Sequence, residues 1–166
     1  MAATAKKFRI EQATERDVSV VLKLIKGLAD FEELSHEVST SEECLRETLF
    51  GSSPGAEVLI AYSAEDAVGF AVFFKSYSTF LGRPGIYLED LFVLPEWRKQ
   101  GIGRRLLERV AQTAVDRGCG RMEWSALDWN KAAIEFYECL GAQAMDQWTV
   151  YRLSGAALQS FGGNTG

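Results

Sequence analysis

Four cations, Arg98, Lys99, Arg104 and Arg105, crowd the stretch WRKQGIGRRLL in a chain whose formal net charge is -5. Gly101 and Gly103 lie among them, after an apolar run and before residues with helical spacing. A strand that passes straight into a glycine-bearing helix start offers unpaired backbone N–H groups and the positive helix end to an anion. Glycine also keeps side chains out of the path of an approaching phosphate. The stretch lacks the Gly-Lys-Ser/Thr ending of a triphosphate loop, and Leu106 stands where a dinucleotide fingerprint has its third glycine. A solvated basic helix face with glycines in a tight turn accounts for the same residues, so the loop alone leaves both readings open.

Just upstream, YLEDLFV carries two adjacent acids in an apolar run. Strand alternation puts Tyr87, Glu89 and Leu91 on one face and Leu88, Asp90 and Phe92 on the other. A buried carboxylate needs a partner or a shifted pKa, whereas a strand end at the sheet rim leaves both acids solvated. Downstream, Tyr137 follows Asn130 by seven residues, which places the two on nearly one face of a helix. A phenol with pKa about 10 keeps its proton at neutral pH and can donate it. Periodicity alone favours a core tyrosine, and Asn130 suits a helix N-cap. Glu32 reads as a solvated helix end, the lone His36 receives no role, and the four tryptophans read as packing residues.

These residues need elements to hold them. FRIEQA alternates as a short strand, and Thr14 with Asp17 resembles the cap of a helix running to about Phe31. Val18, Val21, Leu22, Ile25 and Leu28 give that helix its apolar stripe. A second helix follows Ser41, and EVLIAYS and AVGFAVFFKSYS read as strands joined in a hairpin by AEDA. GIYLEDLFVL is a third strand, ending at Pro95. Helical spacing then runs from Gly101 to Asp116 and stops near Gly118. RMEWSAL reads as a strand, Asn130 to Leu140 as a helix, and WTVYRL alternates as a further strand before a short helical tail and a loose GGNTG end. This order predicts a mixed sheet flanked by helices.

Composition narrows the class. A chain of 166 residues suits one domain with a substantial core, and 47% hydrophobic with 25% charged residues suits a globular protein. No apolar run approaches the roughly 20 residues that span a bilayer, and MAATAKKFRI lacks a secretory apolar centre, so a cytoplasmic location is expected. Cys44, Cys119 and Cys139 are odd in number and far apart, which argues for reduced, mostly buried thiols rather than a disulfide or metal framework. The acidity disfavours a nucleic-acid surface and favours small cationic partners.

Arg98-x-x-Gly101-x-Gly103 after LEDLFVLPEW, ALDWN followed by AIEFY and GAQ, and LIKGLADFEEL near the start occur here in one order. Together they resemble the Gcn5-related N-acetyltransferases, and within them the diamine acetyltransferase branch with its thialysine and plant-type ornithine members. The likeness runs from about Phe8 to Leu153. It implies an α/β (α+β) fold with a mixed, mostly antiparallel central sheet flanked by helices, in a single N-acetyltransferase domain of residues 1–166. The core is then about 8–153, with 154–166 a short helical and loose tail.

The resemblance further implies acetyl-CoA as co-substrate, with no metal. The backbone of Leu91, Phe92 and Val93 would pair with its pantetheine arm. Arg98, Lys99, Gln100, Gly101, Ile102, Gly103 and Arg104 would hold its pyrophosphate. Asn130, Ala133 and Tyr137 would add further contacts. Tyr137 becomes the general acid at the leaving thiolate, and Glu89 the base at the amine, working through a water. Phe31, Glu32 and Glu89 match substrate-contacting positions. Many members carry Tyr where Phe31 stands, and the missing hydroxyl suits the thialysine-like branch better than spermidine or spermine. The expected function is acetyl transfer to a primary amine of a small diamine, polyamine or basic amino acid. Transfer to a peptide or another amine, or a catalytically silent CoA-binding regulatory module, are the alternatives. The same likeness implies a homodimer, and it leaves Asp90 without a role.

Overall fold

The computed structural model describes residues 7–163. Residues up to Ser125 form one compact unit and those from Ala126 a second. In the first, a five-stranded sheet runs in the order β1 (Arg9–Gln12), β2 (Glu57–Ser63), β3 (Asp66–Ser78), β4 (Arg83–Val93) and β5 (Met122–Trp124). The first four pair antiparallel and β5 joins β4 in parallel, so the sheet is mixed and mostly antiparallel, as the sequence predicts. Three helices accompany it: α1 (Val18–Phe31), α2 (Glu42–Phe50) and α3 (Ile102–Asp116).

The two faces of the sheet are covered by different helices because alternate strand residues are apolar on both sides. Val58, Ile60, Phe70, Val72 and Phe92 join Val18, Val21 and Leu24 of α1 and Leu45 of α2 in one buried cluster. The other parity, Leu59, Ala71, Phe73, Ile86 and Leu88, is also buried, and α3 packs on β2, β3 and β4 with Ile102, Leu106, Leu107, Val110 and Ala114 inward. Full burial of each Val, Leu, Ile or Phe side chain among them stabilises by about 1.5–3 kcal/mol.

The caps follow the sequence reading. The Thr14 N–H donates to Asp17 Oδ2 at 2.7 Å at the entry to α1, and the Tyr62 hydroxyl donates to Asp17 Oδ1 at 3.0 Å, fastening that entry to β2. Burial, with the Asp17 carboxylate beside it, pushes the Tyr62 phenol up to about 12. The Ser41 side chain accepts from the Cys44 N–H and starts α2.

The second unit holds α4 (Lys131–Cys139) and α5 (Gly155–Gly163). Two expectations change. WTVYRL forms no strand: among the described residues it pairs with no other strand, and Trp148, Val150 and Tyr151 lie exposed. The cysteines are free thiols, but Cys44 and Cys139 are exposed rather than buried. The last residues of the expected loose end, 164–166, lie outside the described residues.

Candidate active site around the β4 bulge and the amino end of α3

In β4, Asp90 faces Val72 of β3, but Leu88 faces Phe73, the very next residue. Glu89 is therefore an extra residue, a bulge, and it shifts the alternation beyond it. Residues directly opposite across an antiparallel ladder share a face. Tyr87, opposite Phe74, and Asp90 and Phe92, opposite Val72 and Phe70, thus all lie on the α1 face. Leu88 and Leu91, opposite Phe73 and Ala71, lie on the α3 face. Simple alternation, which grouped Asp90 with Leu88 and Tyr87 with Leu91, fails at this bulge.

The parallel pairing of β4 with β5 covers only Ile86, Tyr87 and Leu88 and ends where the bulge begins. The two strands are tied there: the Tyr87 hydroxyl lies 2.7 Å from Ser125 Oγ, and its ring stacks on Phe74 at 5.3 Å between centroids. From Glu89 to Val93, β4 has β3 on one side and, among the described residues, no strand on the other. An extended ligand arm with amide groups could pair with that edge.

The carboxyls gather on the α1 side. Asp90 is half-buried, and its carboxyl has no ion pair or side-chain hydrogen bond among the described residues. Burial, with the Glu89 and Glu32 carboxylates nearby, pushes its pKa up to about 7. Burial likewise holds Glu32, at the end of α1, above the usual carboxylate range. Glu89 is exposed. Among the described residues no three such groups come close enough together to hold a metal ion. The cluster thus consists of spaced carboxyls with no ion-paired cation among the described residues. Asp90 was the residue that sequence reasoning left aside. The pair of adjacent acids was its signal, but the bulge that turns it toward α1 leaves no mark in residue type.

The loop after β4 passes through a short 3-10 turn, Pro95–Trp97, and turns left-handed at Lys99 (φ 61°) and Gly101 (φ 82°) before α3 starts. The first helical bond runs from the Arg105 N–H to the Gly101 carbonyl, and no side chain caps the helix start. The N–H groups of Gly101, Ile102, Gly103 and Arg104 therefore remain without acceptors among the described residues, which makes this end an anion receptor. A Cβ on Gly101 would meet nothing within 4 Å, and one on Gly103 would meet only Val93 Cγ2 at 3.6 Å, so the space over both glycines is open. An anionic, phosphate-bearing group fits this cradle.

The cations around the cradle are less available than their number suggests. Arg104 Nε and Arg105 Nη1 both bond Glu108, each at 3.0 Å. Gln100 Nε2 reaches the Glu96 carbonyl at 3.4 Å. Arg98 turns inward: its Nε donates to the Val93 carbonyl at 3.0 Å, and its guanidinium lies 4.1 Å from the centre of the Phe31 ring. Lys99 is exposed and has no ion pair among the described residues.

In the second unit, the Asn130 side chain caps α4, accepting the Ala133 N–H at 3.3 Å. Tyr137 is half-buried, its ring 5.4 Å from Phe136. The structure thus brings Phe31, Glu32, Glu89, Asp90, Leu91–Val93 and the 98–104 loop together within the first unit, and Asn130, Ala133 and Tyr137 along one helix of the second.

A mixed sheet whose fourth and fifth strands part at a bulge thus leads into a helix start with no side-chain cap among the described residues. The chain belongs to the acetyltransferase (GNAT) family, whose pattern matches residues 25–142, and by that membership it is an N-acetyltransferase. Among particular proteins, it is 41% identical to the thialysine N-epsilon-acetyltransferase of Bos taurus over 93% of this chain and 96% of that one. It is 34% identical to the L-ornithine N5-acetyltransferase NATA1 of Arabidopsis thaliana, over 92% of this chain and 86% of that one. A solved structure from the mobile metagenome of V. cholerae, integron cassette protein VCH_CASS6, superposes with a TM-score of 0.79 at 24% identity, covering 96% and 99% of the two chains.

Proposed function

We propose that this enzyme moves the acetyl group of acetyl-CoA onto a primary amine of a small, doubly cationic substrate of the thialysine or ornithine kind. The observation that carries the substrate class is the set of Glu32, Glu89 and Asp90 carboxyls, which have no ion-paired cation among the described residues. The names of the thialysine and ornithine relatives support the same class.

Acetyl-CoA, when bound, supplies an activated thioester. The N–H groups of Gly101, Ile102, Gly103 and Arg104 would hold its pyrophosphate, with Lys99 and Gln100 at the rim. The open edge of Leu91–Val93 would receive its extended arm, and by the family resemblance Asn130 and Ala133 would add contacts to the CoA. An alkylamine of pKa about 10.4 is mostly protonated at neutral pH, and freeing it there costs about 4–5 kcal/mol. Glu89 would accept that proton through a water. Phe31 and Glu32 would hold the rest of the substrate, Glu32 taking the distal ammonium. Tyr137 would protonate the departing thiolate. In this reading the two units act as one acetyltransferase domain, supported by a family match that runs through both. A cytoplasmic homodimer completes the proposal, supported by the resemblance to the diamine branch.

The test is turnover of acetyl-CoA against thialysine, ornithine, lysine, short diamines, spermidine, monoamines and a lysine peptide. The expected outcome is turnover that favours two amino groups. Preference for the peptide would displace the small-substrate reading, and CoA binding without turnover on any amine would leave a binding module. Tyr137→Phe keeps the ring and deletes the donor. It should lower kcat about 10²–10⁴-fold while CoA affinity stays near wild type.

A further inference from the structure

Arg98 belongs by sequence to the loop at the anion end, yet its guanidinium sits at the other end of the site. It packs over Phe31 at 4.1 Å and lies 5.7 Å from the centre of Phe92. Phe31 is the last residue of α1, immediately before Glu32. Its ring lies 6.4 Å from that of Phe92, which itself fits against Gly27, where a Cβ would stand 3.2 Å from Phe92 Cε1. The remaining anchor is the Val93 carbonyl, at the end of the open strand edge.

The chemistry of this seat is unusual for a charged side chain. Arg98 is half-buried, and burial pulls its pKa down, but a guanidinium keeps its proton in proteins. No carboxylate lies within ion-pair distance of it among the described residues, and Glu96 favours its charge only from farther off. Its direct contacts are the faces of two aromatic rings and one carbonyl, and a desolvated cation over a ring gains most from that contact. The guanidinium therefore depends on Phe31, and the start of the loop depends on the guanidinium.

We propose that Arg98 is a positioning residue that joins the two halves of the site, its contact with Phe31 fixing the pyrophosphate loop against the end of α1 that carries Glu32. The inference rests on the acetyl-CoA reading above and adds a coupling to it. A change made at the amine end must then be felt at the CoA end, although Phe31 belongs to the substrate half.

The experiment is calorimetric titration of the full chain with CoA, with thermal melts confirming that each variant is folded. Phe31→Leu keeps apolar bulk but removes the ring face, and it should weaken CoA binding about 2- to 30-fold, the range of one cation–π contact. Phe31→Tyr restores a ring face and should restore wild-type affinity. Arg98→Lys keeps the charge but loses the planar fork and the Nε bond, so it should weaken CoA binding as well. The double variant should lose no more than the worse single variant, because both break one contact. Wild-type CoA affinity in Phe31→Leu, or losses that multiply in the double variant, would overturn the coupling while leaving the acetyl-CoA reading intact. If Phe31→Leu does not fold, Phe31→Tyr and Arg98→Lys carry the test: a Tyr variant with weakened CoA binding, or a Lys variant with unchanged binding, overturns it. Failure of the wild type to bind CoA would remove the reading and the coupling together.

Discussion

At the amino end of α3 the groups offered to a ligand are peptide N–H groups, whereas at the β4 bulge they are carboxyls. The first end needs only a backbone that turns left-handed at Gly101 and starts a helix without a cap. Its nearby cations are largely spent, two of them on Glu108 and one on Phe31. The second end needs particular side chains kept near one another against their own repulsion, and burial raises that cost. Backbone recognition tolerates change in the surrounding side chains and fails when the turn is lost. Side-chain recognition should fail one carboxyl at a time.

That contrast can be broken in several places. The largest effect should come from Gly101→Val, because a β-branched residue is strained at φ 82°. CoA affinity should fall about 10- to 100-fold in calorimetry. An affinity within threefold of wild type would show that the turn at Gly101 does not build the anion end.

Glu32→Gln removes one charge from the other end. A charge-assisted contact contributes about 1.5–3 kcal/mol, so KM for a diamine should rise roughly ten- to hundredfold. A monoamine of matched length should show little change in steady-state kinetics, and equal losses on both would withdraw the distal-ammonium role.

Asp90 sharpens the comparison through pH. Its folded pKa, about 7, lies above the ordinary value of 3.8, so the native state holds a proton that the unfolded chain has released. Stability from this group is complete below about pH 4 and is lost as pH rises through 7. Asp90→Asn should accordingly be more stable than wild type at pH 8, by roughly 1–4 kcal/mol, and equal to it near pH 4. Urea melts at the two pH values measure the difference; a gap that persists at pH 4 would trace it to packing.

The smallest effect belongs to Arg104→Ala. Arg104 is already paired with Glu108, so CoA affinity should change less than about threefold. A tenfold loss would mean that side chains, not amides, dominate the anion end.

The two ends also differ in how openly the sequence displays them. The glycines of GIG, the preceding apolar run and the stripe Ile102, Leu106, Leu107, Val110 announce a strand, a turn and a helix, because each is a local pattern. Phe31 and Glu32 fall at a readable helix end. The bulge does not announce itself, since YLEDLFV pleats regularly unless β3 dictates otherwise, and pairing is a property of two strands. The inward turn of Arg98 is hidden for the same reason, as Phe31 lies 67 positions away in the chain. WTVYRL marks the opposite error: a strand-like pattern is not a strand where no neighbour completes it.

The parting of β4 from β5 has one more consequence. A strand edge with free N–H and C=O groups is a template for self-association as well as for a ligand. Here the open run spans only Glu89 to Val93, and it begins with two acids that repel a second copy in register. The same carboxyls that would recruit a cationic amine would thus oppose aggregation along this edge. Neutralising them together should raise light scattering in concentrated protein, and a pantetheine-bearing ligand laid along the edge should suppress it.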